Sequence, residues 1–280
     1  MLHATTWAVP PHRGPLVVTV HDLAFLRDPG HFTPHGNRFF RRAMSVVRDE
    51  ADAVVVPSRA TAEDCLRAGF EAGRLHVVPH GVAVPTPAPD EVARWRAGHG
   101  LTRPYLLWTG TLEPRKNLPT LLAAFGAVAA ERSDLDLVLV GPAGWGGADA
   151  AVRAALAELP QGRVHALGRL PTAALHLAYA GAHALGFPST WEGFGLPVLE
   201  AMAHGVPVVT SAGTSMAEVC GDAGILVDPR SADELAAGLL AAAGPRHDEL
   251  ATAARARASE FTWESSAERH VAAYRAAAGT

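Results

Sequence analysis

The sequence predicts an α/β protein built from parallel sheets covered by helices. Short β-branched runs alternate with Ala- and Leu-rich helical stretches almost from end to end, as when parallel strands are joined by crossover helices. Several of the runs are continuously apolar, as befits strands buried on both faces. A proline-bearing stretch from Gly81 to Glu91, GVAVPTPAPDE, interrupts the alternation and marks a linker between two domains.

In chain order the candidate strands are Leu16–Val20, Ala53–Val56, Leu75–Val78, Tyr105–Thr109, Leu135–Val140, Arg163–Leu167, Ala184–Phe187, Pro207–Thr210 and Gly224–Val227. The region before the linker offers only three of them, few for an independent doubly wound domain, whereas the region after it holds a complete alternating set. The expected division is a partial N-terminal domain over 1–98, a C-terminal α/β domain over 99–262 and a terminal helix over 263–280. That helix opens at FTWESS, where Thr262 is a candidate cap and Ser265 or Ser266 extends the turn. Trp263, Val271 and Tyr274 give it an apolar stripe for packing, and Ser58, after AVVVP, reads as another helix cap.

At 280 residues, with 49% hydrophobic residues, the chain can fill two medium-sized cores. A net charge of -4 gives no global basic footprint, which argues against nucleic acid as a partner. Cys65 and Cys220 lie far apart without metal-ligand spacing, and are expected to be reduced, buried thiols of a cytoplasmic protein. No apolar run approaches the roughly 20 residues of a bilayer span, and MLHATTWAVPPHRG lacks a signal-peptide pattern. The expectation is a protein that is soluble or, at most, peripheral at the inner face of the plasma membrane.

The chemistry concentrates in Pro188 to His204, PSTWEGFGLPVLEAMAH, where Glu192 and Glu200 bracket a Gly-x-Gly-x-Pro turn that opens a helix. Gly193 and Gly195 let backbone N–H groups approach an anion, Pro197 suits a first helical position, and the helix N-terminus offers unpaired donors. Glu200 is placed in the first helical turn. Two acceptor-only carboxylates suit a polyol. A second segment, GTLEPRKN from Gly110 to Asn117, sets Arg115 and Lys116 between a strand and a helix, a plausible phosphate cradle. His21 follows the strand LVVTV at the carboxyl edge where open parallel sheets bind ligands, although a strand-end histidine is also a common structural residue. VGPAGWGG (140–147) and LGRLP (167–171) are glycine turns after strands. His80, in VPHGV, reads as a turn residue beside the linker.

The string bracketed by Glu192 and Glu200 resembles the E-x7-E signature of the family 4 retaining glycosyltransferases, whose fold is GT-B: two Rossmann-like doubly wound domains facing a cleft. The resemblance covers nearly the whole chain and is strongest from Tyr105 to Pro229. It implies a hexosyltransferase that uses a nucleoside-diphosphate sugar, with GDP-mannose the first choice and UDP-glucose or UDP-N-acetylglucosamine open, and with an unknown glycan, lipid or small-molecule acceptor. It implies that Glu192 holds the donor sugar, that Glu200 holds the ribose, and that His21 lies beside the sugar. Gly193, Phe194, Gly195 and Leu196 then form the donor loop, Gly110 the diphosphate loop, and Gly141, Gly168 and Leu170 the surroundings of the base. Many members carry arginine directly after the loop glycine, where this chain has Thr111, so Arg115 is expected to act as second cation beside Lys116. With two cations and a helix N-terminus on the leaving diphosphate, no metal or other cofactor is expected. The terminal helix is expected to cross back onto the N-terminal domain.

In this family the segment resembling MLHATTWAVPP follows several strand-helix units that here are not in the sequence. The resemblance therefore implies an N-terminal domain lacking about its first half, least stable of the parts and poor in acceptor binding and turnover. The alternatives are a GT-B sugar-nucleotide 2-epimerase and a non-catalytic nucleotide-sugar-binding remnant.

Overall fold

The computed structural model describes residues 1–142 and 148–279, with the backbone alone at 31 and 148–150. The chain forms two compact units: Met1–Gly81, Glu192–Phe194 and Phe261–Thr280 make the first, Val82–Trp191 and Gly195–Glu260 the second.

The first unit is built on a four-stranded parallel sheet of β1 (Leu2–Ala4), β2 (Leu16–Thr19), β3 (Ala53–Val56) and β4 (Leu75–Val77), adjacent in that order. Three of these strands lie where the sequence predicts them. β1 does not show in the sequence, because three residues with one buried side chain, Ala4, make no apolar run; it exists through pairing along β2, starting with the bond from Leu2 N to Pro15 O at 2.9 Å. Between β2 and β3 lie a short helix α1 (Ala24–Arg27) and the long α2 (Pro34–Glu50), whose cap Thr33 accepts from Gly36 N at 3.0 Å. The inner face of α2, Ala43 and Val47 with Phe40 and Met44, joins Leu16, Val18, Val54 and Val56 in one apolar cluster. Helix α3 (Arg59–Arg67) leads to β4 and is capped by Ser58, which accepts from Thr61 N at 3.0 Å, as its sequence context predicts.

The second unit carries α4 (Pro89–Gly98), β5 (Tyr105–Thr109), α5 (Leu118–Glu131), β6 (Asp136–Val140), α6 (Ala148–Ala157), β7 (Val164–Gly168) and α7 (Thr172–Ala180). It continues with β8 (Ala184–Phe187), α8 (Leu196–Ala203), β9 (Val208–Ser211), α9 (Ser215–Cys220), β10 (Ile225–Val227), α10 (Ala232–Ala242) and α11 (His247–Ala258). Its parallel sheet runs β10-β9-β8-β5-β6-β7, so the strand order reverses between β5 and β8, the switch point where open α/β sheets leave a crevice at the carboxyl ends. β5 and β6 are buried throughout, which explains their uninterrupted apolar sequences. All six strands begin and end within a residue of their expected places.

The division between units falls at Gly81 and Val82, not at 98/99. The reason is α4, which packs on α7; a Cβ at Gly181, just after α7, would lie 3.1 Å from Val92. The last helix, α12 (Trp263–Ala278), belongs to the first unit and is capped by Thr262, which accepts from Ser265 N at 3.1 Å. Its packing stripe matches the expected one at Tyr274 alone. Trp263 and Val271 are 52% and 43% exposed, and Ala273 and Ala277 join Tyr274 against Val17, Ala53, Val55 and Val78, since small residues let the helix lie close on the sheet. Both cysteines are free and buried, and burial pushes each thiol up to about 12. Among the described residues no helix is long and apolar enough to cross a membrane.

One charged cluster is buried in the second unit. Asp136, at the start of β6, accepts from Arg163 Nε at 2.8 Å and pairs with His165 Nε2 at 3.1 Å, while Arg163 also donates to Arg132 O at 2.8 Å. Removing one partner of such a pair strands the other charge in a low-dielectric site. Asp136→Ala is expected to cost about 3 to 5 kcal/mol by chemical denaturation followed by circular dichroism. A loss under about 1 kcal/mol, the scale of an exposed pair, would show that Arg163 finds solvent instead.

Candidate functional site

The carboxyl ends of β5, β6 and β7 are joined by backbone bonds from Gly110 N to Val140 O and from Gly141 N to Gly168 O, each 2.9 Å. Gly141 has φ 150°, and a Cβ there would lie 1.7 Å from Gly110 O, so the two turns touch in a way only glycine permits. A cavity of about 250 Å³ opens over these ends. Its floor is Thr109, Gly110, Val140 and Gly141, and its walls include Arg169, Leu170, Leu175, Tyr179, Pro197 and Glu200.

Helix α8 begins at this cavity. Gly195 enters it in the left-handed region, φ 106°, where a Cβ would also strike Met216 Cγ at 2.7 Å. Glu200 is the fifth residue of α8, one turn deeper than the expected first turn. Helical side chains lean toward the N-terminus, so it still reaches the cavity from there.

Glu200 is mostly buried, and burial pushes its carboxyl above the ordinary glutamate range, offset in part by a hydrogen bond from Tyr179 and by the proximity of His176. Tyr179 is fully buried and its hydroxyl donates to Glu200 Oε2 at 3.0 Å. Its proton being used there, Thr109 Oγ1, also 3.0 Å away, donates to the phenol oxygen. Burial first, then Glu200, holds the phenol well above its usual value, so it remains a donor. His204 stacks on the Tyr179 ring at 5.9 Å and shares a hydrogen bond with His176, Nε2 to Nδ1, at 3.0 Å. Burial and then His176 lower His204 to about 4, which keeps that ring neutral.

Arg115 and Lys116 lie in a 3-10 turn, Pro114–Lys116, after β5. Arg115 pairs through Nε with Glu113 at 2.9 Å and donates from Nη1 to Trp191 O at 3.2 Å, while its own carbonyl accepts from Thr190 N at 2.8 Å. The turn is thereby tied to the segment that precedes Glu192. Lys116 is 8% exposed; its ammonium stands 5.1 Å from the centre of the Phe187 ring and its stem runs past Gly110. Of the expected donor residues, Gly110, Gly141, Leu170 and Glu200 line the cavity. Gly168 precedes Arg169 on its rim, and Arg115, Lys116, Gly195 and Leu196 stand outside its lining.

The other expected residues, His21, Glu192, Gly193 and Phe194, belong to the first unit. His21 Nε2 donates to Thr5 O at 2.9 Å. Gly193 lies so close to His21 that a Cβ would stand 1.9 Å from its carbonyl oxygen, and the Gly193 carbonyl accepts from Ser58 Oγ at 2.6 Å and Thr61 Oγ1 at 3.0 Å. His80 is more than a turn residue: its ring meets Phe194 edge-on at 5.0 Å and His21 at 6.0 Å. Burial, followed by His21 and His270, lowers it to about 4.

Tyr179, Arg169 and Leu175 are wall residues of the cavity that sequence reasoning missed. Arg169 stands between Gly168 and Leu170 in LGRLP and was in view; Tyr179, in an apolar helix, reads as core, and its hydroxyl partners depend on the fold. Residues 143–147 of the VGPAGWGG turn lie outside the described residues.

Residues 90–258 match the family model for glycosyl transferases group 1, and residues 1–86 match that for glycosyltransferase family 4. The chain is 31% identical over 287 residues to the O-antigen chain mannosyltransferase B of Escherichia coli, covering 98% of this chain and 73% of the relative. It is 33% identical to the D-inositol 3-phosphate glycosyltransferase of Xylanimonas cellulosilytica, covering 95% of this chain and 66% of that one. The chain thus spans somewhat under two thirds of that relative's length. Among solved structures, Anabaena Alr3699/HepE in complex with UDP and glucose superposes with TM-score 0.80 at 24% identity, covering 92% of this chain and 70% of that one. Sucrose-phosphate synthase from Thermosynechococcus elongatus gives 0.75 at 26% identity, covering 93% and 67%. The chain belongs to the glycosyl transferases group 1 family and has its two-unit, parallel-sheet GT-B fold.

Proposed function

We propose that the chain takes part in moving a hexose from a nucleoside-diphosphate sugar to an acceptor hydroxyl with retention of configuration, and that GDP-mannose is the donor to try first. The observation that carries this reading is the cavity at the carboxyl ends of β5 to β7, where Glu200 is presented with its Tyr179 hydrogen bond already made. A carboxylate fixed in this way accepts two vicinal hydroxyls, as a ribose offers. The mannosyltransferase relative supports mannose; the neighbour solved with UDP and glucose supports a nucleoside-diphosphate sugar.

In the proposed reaction the bond from the sugar to the diphosphate breaks, negative charge collects on the departing diphosphate, and the acceptor oxygen takes the anomeric carbon while its hydroxyl proton passes to the departing diphosphate. Lys116, Arg115 and the N-terminus of α8 stabilise that charge, the kind of preorganised electrostatics that dominates many group transfers. Glu192 and His21 are assigned to the donor sugar through the motif resemblance. A thermal-shift screen of GDP-mannose, UDP-glucose and UDP-N-acetylglucosamine tests the donor, since a ligand at 100 times its dissociation constant adds about 2.7 kcal/mol. Conversion of the sugar nucleotide without any acceptor would point to an epimerase instead.

Glu200→Ala is expected to weaken nucleoside-diphosphate binding about 10- to 100-fold, the loss of roughly 1.5 to 3 kcal/mol in charge-assisted bonds, whereas Glu192→Ala spares that sugar-free ligand and impairs transfer. Calorimetric titration separates the two, and equal losses would remove the distinction between ribose and sugar roles.

The same titration across pH tests the carboxylate. Its raised value means that the ionised, better-accepting form is complete above that value and is lost as pH falls through it, beginning at a higher pH than for an ordinary glutamate. Affinity is expected to decline over that window. Glu200→Gln flattens the decline, and Tyr179→Phe, which removes a bond favouring the ionised form, moves it to higher pH. An unmoved profile in Tyr179→Phe would show that the phenol does not act on the carboxylate.

With protein cations on the diphosphate, transfer is expected to persist in a chelator. Loss in EDTA with recovery on adding magnesium or manganese would overturn this electrostatic scheme.

A further inference from the structure

The second unit holds another cavity, of about 500 Å³, at the far end of α8 from the first. That is the size of a small-molecule site. The linker lines it with Pro85, Thr86 and Pro87, the end of α8 with Ala203 and His204, and α11 with Arg255. No aspartate or glutamate is among its described lining residues. Two neighbouring arginines are committed elsewhere, Arg246 to Glu249 and Arg257 to Glu260, whereas Arg255 makes no hydrogen bond or ion pair among the described residues. It is nevertheless held in place. Gly205, at φ 73°, lies under its guanidinium, and a Cβ there would collide with the group, so the fork rests on bare backbone just past α8. The carbonyl end of that helix favours a cation at this spot, yet accepts no bond from it. His204 is the second polar group. Its Nε2 is shared with His176, which leaves Nδ1 without a partner among the described residues. With His176 as the donor, the neutral His204 ring carries its proton on Nδ1 and can offer it. Thr86 adds an exposed hydroxyl.

We propose that this cavity binds a phosphomonoester of a small polyol, a sugar phosphate. The Arg255 fork, the Nδ1–H of His204 and the Thr86 hydroxyl come from separate elements, and so match the tetrahedral oxygens of a phosphate monoester better than a planar carboxylate. Pro85 and Pro87 offer apolar surface to the C–H face of a sugar ring. Bare phosphate answers the cation but leaves most of the space unfilled. Tyr179 and Glu200 line the first cavity, Ala180 and His204 this one, so the ligand bears on the ring that stacks against Tyr179. None of the residues assigned to the donor lines the second cavity. The site therefore stands or falls apart from the sugar-nucleotide reading, and is measured with no nucleotide present.

The test is calorimetric titration of the chain with mannose 6-phosphate, against mannose and inorganic phosphate. Saturable binding of the sugar phosphate is expected, with inorganic phosphate weaker and mannose silent. Arg255→Ala lowers affinity about tenfold, the scale of a charge-assisted hydrogen bond, while Arg169→Ala, which removes a cation from the first cavity, leaves it at the wild-type value. His204→Phe keeps a ring beside Tyr179 and lowers affinity by removing the donor. Ala203→Leu narrows the space with the charge unchanged, and lowers it too. Circular dichroism confirms that each variant is folded. Absence of binding, mannose or inorganic phosphate binding as tightly as the sugar phosphate, or wild-type affinity in Arg255→Ala or Ala203→Leu would overturn the proposal. A loss in Arg169→Ala equal to that in Arg255→Ala would overturn it as well, by placing the ligand in the first cavity.

Discussion

The contact on which the second unit's cavity over β5 to β7 depends is that between Gly141 and Gly110. With a Cβ at Gly141 the neighbouring carbonyl would be overlapped at 1.7 Å, and the turns after β5 and β6 would have to separate. Their closeness leaves a floor of bare backbone between Thr109 and Gly141, over which the walls from α7 and α8 stand. The switch point between β5 and β8 then determines which helix faces that floor: α8 follows β8, and brings Pro197 and Glu200 with it. Sheet order and two glycines thus account for the position of the cavity before any side-chain chemistry is considered.

That chemistry is set from behind. A carboxylate as buried as Glu200 pays a desolvation penalty, and the phenol of Tyr179 offsets part of it while itself being oriented by Thr109 at the end of β5. The stacked, neutral His204 keeps the ring in place without adding a charge of its own. The result is one acceptor group whose geometry is fixed by Tyr179 and Thr109.

Much of this was legible in the residues. The nine predicted strands are present, because parallel strands buried on both faces leave continuous apolar runs that composition alone betrays. The helix caps Ser58 and Thr262 were legible because a hydroxyl before a helix has few other uses. What escaped was set by pairing rather than by pattern. β1 is held by its neighbour, α4 chooses its unit through contacts with α7, and α12 buries alanines beside Tyr274 where Trp263 and Val271 seemed the natural anchors. Tyr179 is the clearest case: its helix spells out a core residue, and only the fold brings Glu200 and Thr109 to its hydroxyl.

The string from Glu192 to Glu200 shows why a short motif in this chain carries so much. Its first three residues belong to one unit, where Ser58 and Thr61 hold the Gly193 carbonyl and His21 allows no side chain at that position. From Gly195 onward it belongs to the other, where a left-handed glycine starts α8. The two glutamates are therefore oriented by different cores, Glu192 by anchors from α3 and the loop after β2, Glu200 by α7 and β5. Each glycine answers a separate steric demand, a carbonyl at Gly193 and a methionine with a positive φ at Gly195, so neither can stand in for the other. A spacing that looks like a linear signature is, physically, one segment that meets the steric requirements of two separate units.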